Sequence, residues 1–278
     1  MKLTKQQAAD HRRACDLVAS DRPLTIDEKW FVLTHWHEAG NATHTLDGAF
    51  FTPTGLATCL ALHAAGRRII DLGAGIGRLT WAFYGPFERI DNGVPAPELV
   101  CVERNPAYVE VGRRVLPEAT WICADLFALP DLGRFDCAIS NPPFGATARS
   151  GSGPRYRGRR VEYHVIDIAR DLADRGVFIV PQTSAPFRYS GRPNLERGHG
   201  GDEYRRFVAA TGITLGPSVG VDTTYYRNDW RGVTPTVELV VCDFAGGDDQ
   251  EMDDLGDTVR PDGGRVVAAS AQGALFSL

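Results

Sequence analysis

No apolar run in this 278-residue chain approaches the roughly 20 residues that a helix needs to cross a bilayer. The opening segment Met1-Lys2-Leu3-Thr4-Lys5-Gln6-Gln7 has no apolar core of an export signal. The six cysteines (Cys15, Cys59, Cys101, Cys123, Cys137 and Cys242) stand singly, without a CxxC pair, so neither a zinc framework nor a disulfide scaffold is expected. They read as reduced residues of a cytoplasmic protein, three of them within buried strands. Seven histidines are spread out, and His35 and His37, two apart, do not share a helix face. No metal site is expected, and no internal repeat is visible. Positive charge is also short: the net charge is −5, the wrong sign for a nucleic-acid binder. That average hides a split. Residues 145–206 hold twelve Arg and seven acids (+5), whereas residues 243–278 hold two Arg and eight acids (−6). A basic segment suits phosphate contact and an acidic tail suits solvation.

What is present begins with Asn141-Pro142-Pro143-Phe144. It directly follows residues 135–140, an apolar run that reads as a buried strand. An Asn amide and a Pro carbonyl at a strand's carboxyl end offer two acceptors to one crevice, and Phe144 adds a flat apolar face. That set suits a planar substrate carrying an exocyclic NH2 and requires neither a metal nor a nucleophilic side chain. Upstream, Arg68-Ile69-Ile70-Asp71-Leu72 reads as a short buried strand. Gly73-Ala74-Gly75-Ile76-Gly77 follows, and then a helical pattern from Arg78. The glycines permit a tight turn and close approach to a ligand, as in dinucleotide sites. Glu103 ends a second strand, over residues 99–102, where a carboxylate can take both hydroxyls of a ribose. Asp125 ends a third, over residues 120–124, where it can accept from an adenine amine.

Strand ends tipped by glycines, Glu103, Asp125 and NPPF resemble the class I S-adenosyl-methionine-dependent methyltransferases, and the NPPF form resembles their amino-methylating branch. Phe50-Phe51-Thr52-Pro53-Thr54-Gly55 is similar to the FTP segment of DNA adenine methyltransferases, especially modification subunits of restriction systems. The order FTP, glycine turn, Glu, Asp, NPPF is the gamma arrangement of that family, and the resemblance covers residues 46–182 with weaker echoes to 244. It implies an α/β fold: a seven-stranded, mostly parallel Rossmann-like sheet with helices on both faces. It also implies S-adenosyl-L-methionine as cofactor and methyl transfer to adenine N6 in DNA. On the same basis Phe51, Thr52 and Pro53 close over the methionine end of the cofactor. Asp71, Gly73, Ala74, Gly75 and Gly77 hold the methionine part. Glu103 takes the ribose with Arg104 beside it, and Asp125 takes the cofactor adenine with Leu126 beside it. Asn141, Pro142, Pro143 and Phe144 form the catalytic motif. The chain departs from the family in having no large target-recognition domain after the core, so specificity is expected to be low or short. Rival readings are an RNA adenine or guanine methyltransferase, a protein glutamine methyltransferase (a family that usually shows NPPY), and a cofactor-binding subunit that needs a specificity partner.

Around that core, residues 1–46 read as a helical extension with an apolar cluster at Trp30, Phe31, Leu33 and Trp36. Residues 47–244 form the main domain and 245–278 an acidic flexible tail. A helix is expected from Thr54 to Ala65, capped by Thr52 or Thr54, and a closing hairpin over residues 218–222 and 236–242. Two Arg-rich insertions, 145–160 and 183–201, are the nucleic-acid candidates. The first reads as mobile, with Arg149, Arg155, Tyr156, Arg157, Arg159 and Arg160 tracking a backbone and Tyr156 stacking on a base. The second offers Arg188 and Arg192. Tyr225, Tyr226 and Trp230 either face nucleic acid or pack the hairpin loop. Gln272, Leu275 and Phe276 resemble the short peptide by which bacterial replication proteins bind the sliding clamp.

Overall fold

A computed structural model of the chain describes residues 3–37, 51–84, 97–218, 220–230 and 234–245. The expected acidic tail beyond 245 and its clamp-like peptide lie outside the described residues. Two helices open the chain, α1 (Lys5–Val18) and α2 (Ile26–His35). Thr4 and Thr25 cap them, each in a reciprocal capping box with the Gln or Glu three residues on. Then come α3 (Thr54–His63), β1 (Arg68–Leu72), α4 (Arg78–Tyr84), β2 (Glu98–Glu103), α5 (Pro106–Val115), β3 (Thr120–Cys123) and β4 (Phe135–Ser140). Next are α6 (Val161–Leu172), β5 (Ala173–Pro181), a small hairpin of β6 (Phe187–Arg188) and β7 (Glu196–Arg197), α7 (Asp202–Thr211), β8 (Gly216–Pro217) and β9 (Val237–Asp243).

Seven strands make one sheet in the order β3-β2-β1-β4-β5-β9-β8. The pairs β1–β2, β1–β4, β2–β3 and β4–β5 are parallel, and β9 runs antiparallel to both β5 and β8. The central strands are buried along nearly their whole length because helices cover both faces. Alternate residues divide between two cores. Ile69, Cys101, Cys137 and Ile139 pack with α1 to α5, whereas Ile70, Leu72, Val100, Val102 and Ala138 pack with α6 and α7. The chain steps from β1 to β2 and β3 on one side and resumes at β4 and β5 on the other. The crevice outside the carboxyl ends of β1 and β4 is therefore the switch point of the sheet, the usual ligand position in open α/β folds.

Several expectations shift. Helix α3 is capped by Pro53 without a side-chain bond, because the Thr52 hydroxyl is engaged elsewhere. The strand expected at 218–222 is displaced to Gly216–Pro217. Gly220 turns with φ +81°, and Asp222 instead caps a 3-10 helix, Thr223–Asp229, by accepting from the Thr224 amide at 2.9 Å. Trp30 is 45% exposed, since α2 buries its Val32 and Leu33 face instead. Cys123 is exposed on the edge strand β3.

Candidate functional site

One cavity opens at the switch point. It is walled by the turn after β1, the ends of β2, β3 and β4, the FTP segment and part of the loop before α6. Gly75 adopts φ +58°, a left-handed conformation that glycine tolerates freely. This aims its amide at Glu103 Oε2, 3.0 Å away. Glu103 Oε1 accepts from the Asn105 amide at 2.8 Å. The carboxylate is thus held rigidly at the cavity wall; burial raises its pKa, and the two backbone N–H bonds oppose that rise. Gly77, with φ +91°, has a second reason to be glycine. A Cβ there would meet Leu116 at 2.9 Å and Trp121 at 3.2 Å, so it admits α5 packing and does not line the cavity.

Asp71 does not line the cavity either. It is 1% exposed and accepts from Thr80 Oγ1 at 2.6 Å through Oδ2, while Oδ1 has no partner among the described residues. Burial raises its pKa to about 7, against the Thr80 hydrogen bond, and the nearby Glu103 raises it further. It underpins the glycine turn from behind.

The FTP segment closes the opposite wall. Phe51 packs against Gly75, Trp36 of the α2 cap, and Tyr108 of α5, and the Arg78 guanidinium lies 5.2 Å over its ring. Pro53 is buried behind the cavity as the α3 cap. Thr52, 3% exposed, accepts from Asn141 Nδ2 at 3.0 Å. That bond fixes the plane of the Asn141 amide and leaves its carbonyl oxygen as the opposite end of the group. Pro142, Pro143 and Phe144 line the cavity beside it. Ser140, the last residue of β4, donates to Leu72 O of β1 at 2.5 Å and so ties the two strand ends together.

At the β3 end, Asp125 caps a short 3-10 helix, accepting from the Phe127 amide at 2.9 Å, and its other oxygen accepts from Ser150 Oγ at 2.6 Å. Gly73, Ala74, Arg104 and Leu126 complete this half of the wall. Sequence reasoning missed several lining residues: Arg78, Leu79, Asn105, Tyr108, Phe127, Thr147, Ala148, Ser150, Val161 and Val165. Arg78 carried a signal, a cation at a helix N-terminus against the dipole.

The first Arg-rich insertion is not the mobile arm expected. Buried ionisable side chains of α6 hold it. Glu162 accepts from the Gly145 amide at 2.8 Å, His164 Nδ1 from the Gly153 amide at 2.9 Å, and Asp167 from the amides of Arg155 at 2.6 Å and Tyr156 at 2.8 Å. Burial lowers the His164 pKa, which favours the neutral ring that accepts from Gly153. Tyr156 is no stacking platform. It is 1% exposed, packs with Tyr163 and Phe207, and donates to Glu203. Arg155 pairs with Asp167 and Asp171, Arg157 turns back onto the Gly153 and Pro154 carbonyls, and Arg160 points to Ser184 and Glu162. Arg159 is exposed; its amide binds Glu203. Arg149 lines the cavity and donates to Gly158 O. In the second insertion Arg188 is half-buried and Arg192 is exposed, 3.9 Å from Glu196. Among the described residues no His, Cys, Asp and Glu group could hold a metal, and no helix is long and apolar enough to cross a membrane.

No protein-family model matches the chain, and no curated protein does. Solved structures match its fold. A protein assigned as a modification subunit of a type I restriction enzyme from Vibrio vulnificus gives a TM-score of 0.52 at 15% identity, over 81% of this chain and 51% of its own. A type I restriction-modification methyltransferase subunit from Streptococcus thermophilus gives 0.51 at 14%, over 78% and 48%. A protein assigned as a class I S-adenosylmethionine-dependent methyltransferase from Listeria monocytogenes gives 0.54 at 12%, over 82% and 71%. The chain spans about half the length of the two restriction-modification subunits. Its seven-stranded α/β sheet thus shares the Rossmann-like fold of these structures.

Proposed function

We propose that this chain is an S-adenosyl-methionine-dependent methyltransferase acting on an exocyclic amine, with adenine N6 in DNA as the acceptor and low or short sequence specificity. One observation carries the reading: the Asn141 amide, oriented by Thr52, and the Glu103 carboxylate, oriented by two backbone amides, line the same switch-point cavity. The donor set fits the cofactor. A rigid carboxylate suits a ribose diol, Asp125 beside Leu126 and Phe127 suits an adenine edge and face, and the open Gly73–Gly75 turn suits close approach by the remainder. Bound there, S-adenosyl-methionine supplies an electrophilic methyl group.

The chain's own residues do the rest. Asn141 Oδ1 and the Pro142 carbonyl accept the two hydrogens of the acceptor amine, which leaves its lone pair as the free face. The negative ends of both dipoles stabilise the positive charge growing on that nitrogen, a preorganised electrostatic contribution, and the surplus amine proton then passes to solvent. Phe144 stacks on the base, so a duplex must release it by flipping. Positioning supplies much of the rate. The modification-subunit structures that match the fold support DNA over other acceptors, as does the FTP segment. The test is labelled-methyl transfer by the purified chain to DNA, total RNA and protein in parallel. Label in DNA adenine supports the reading. Label confined to RNA or protein moves the acceptor, and label only after adding a partner subunit assigns specificity elsewhere.

A further inference from the structure

The backbone of the first insertion is tied down by α6, and the second insertion and the segment before β9 carry further exposed aromatic and basic groups. Their placement follows from the sheet. β5 runs parallel to β4, so its carboxyl end lies on the same edge as Asn141. There Pro181 pairs with Val237, and the Gln182 amide donates to Thr236 O at 3.0 Å. The β6–β7 hairpin leaves that edge, and the 3-10 helix Thr223–Asp229 returns to it.

Both are locked by one buried carboxylate. Glu238 of β9, 1% exposed, accepts from Gln182 Nε2 at 2.7 Å, the Tyr189 amide at 2.9 Å and Ser190 Oγ at 2.9 Å. Ser190 Oγ in turn accepts from the Thr223 amide at 3.1 Å, and Asp222 takes the Gly191 amide at 3.0 Å. A buried carboxylate is tolerated only when well supplied with donors. Here the donors come from the base and tip of the hairpin, which fixes its shape in advance of any partner.

On this fixed base Tyr225 is 85% exposed, whereas its neighbour Tyr226 is anchored to Cys59 Sγ at 3.1 Å and packs on Gly55. Gly55 lies three residues after Thr52, the residue that orients Asn141. Arg192, Arg197 and Arg227 are exposed and Arg188 is half-buried, with Glu196 opposite Arg188 in the hairpin and 3.9 Å from Arg192. Residues 183–201 carry three Arg and one Glu, a net +2 before histidine. A free aromatic face with guanidinium groups on a rigid base is the composition that binds unpaired nucleotides by stacking and phosphate contact.

We propose that the β6–β7 hairpin and the Thr223–Asp229 helix form the nucleic-acid docking face, with Tyr225 stacking on a nucleotide beside the acceptor and Arg188 and Arg192 holding its phosphates. This rests on the methyltransferase reading above. The test is fluorescence anisotropy of a short labelled single-stranded DNA, over a range of salt, with methyl transfer followed on the same oligonucleotide. Tyr225→Ala should weaken binding about tenfold and Tyr225→Trp should restore it, because any ring can stack. Arg188→Ala with Arg192→Ala should lower the slope of log K against log salt by about 1.4, at ~0.7 per phosphate contact on a single strand. Unchanged melting temperatures exclude misfolding. If the wild type methylates the oligonucleotide while all these variants bind it normally, the docking face is overturned alone. If the wild type neither binds nor methylates nucleic acid, the functional reading falls with it; a protein bound at Tyr225 in its place would likewise overturn the proposal.

Discussion

At the scale of single residues, the site divides into groups that meet the ligand and groups that aim them. Glu103 meets it. Removing its carboxylate should weaken cofactor binding by the ~1.5–3 kcal/mol of a charge-assisted hydrogen bond, so Glu103→Ala should raise the Kd for S-adenosyl-homocysteine about 10- to 100-fold by calorimetry. Unchanged affinity would place the ribose elsewhere. Thr52 aims: it touches the Asn141 amide through its hydroxyl. Thr52→Val keeps shape and loses the acceptor, so single-turnover kcat should fall about tenfold with cofactor Kd little changed. Asp71 is the third case. Its folded pKa of about 7 lies above the ordinary carboxylate value of 3.8. Between those values the folded state holds a proton that the unfolded state has lost, so this group's contribution to stability falls as pH rises through that window. In Asp71→Asn that contribution disappears. The melting temperature of the variant should therefore decline less between pH 5 and pH 8 than that of the wild type, as read by thermal denaturation.

At the scale of elements, the loop of residues 145–160 shows where sequence reasoning stops. Its Gly, Ser and Arg content reads as a mobile arm. The structure makes it a built wall because Glu162, His164 and Asp167, all fully buried on α6, bind its backbone. A polar residue on an amphipathic helix reads as solvent-facing unless its backbone partners are known. Those partners are loop amides, which every sequence has. Tyr156→Ala should accordingly behave as a core truncation, costing about 3–5 kcal/mol in denaturant unfolding. Tyr225→Ala should leave stability within about 0.5 kcal/mol. The strands, by contrast, were legible: β1 and β4 begin and end at the residues that apolar runs predict, because a strand covered on both faces is apolar along most of its length. The closing hairpin was less so. Gly216–Pro217 carries no apolar pattern, and its pairing is dictated by β9. Within the site, the strand-tip residues Glu103, Asp125 and Asn141 were legible from position alone. Arg78, Tyr108 and Phe127 were not, because they reach the cavity from helices and turns whose packing only the fold defines.

At the scale of the whole molecule, the arginines behind the +5 charge of residues 145–206 are not all equally available to phosphate. Of the twelve arginines, Arg155, Arg160, Arg192, Arg205 and Arg206 stand in ion pairs. Phosphate contact then rests on a few side chains. The salt dependence of DNA binding should correspond to about 3–4 phosphates, a slope near −3 with ~0.9 per contact. A slope beyond about −6 would contradict this. A small contact face also reads few bases, so sequencing of methylated DNA should find adenines in many contexts. A single motif of five or more fixed bases would contradict this.

The central claim is that the Asn141 amide acts on an adenine amine. Nucleoside mass spectrometry of an oligonucleotide incubated with S-adenosyl-methionine tests it most directly, using the wild type and Asn141→Ala. The account predicts N6-methyladenine with the wild type. With the variant it predicts a rate at least ~10²-fold lower at unchanged cofactor affinity, the size of effect that follows loss of one preorganised contact to developing charge. N6-methyladenine formed at a near-normal rate by Asn141→Ala, or a methyl group found on another atom, would contradict it.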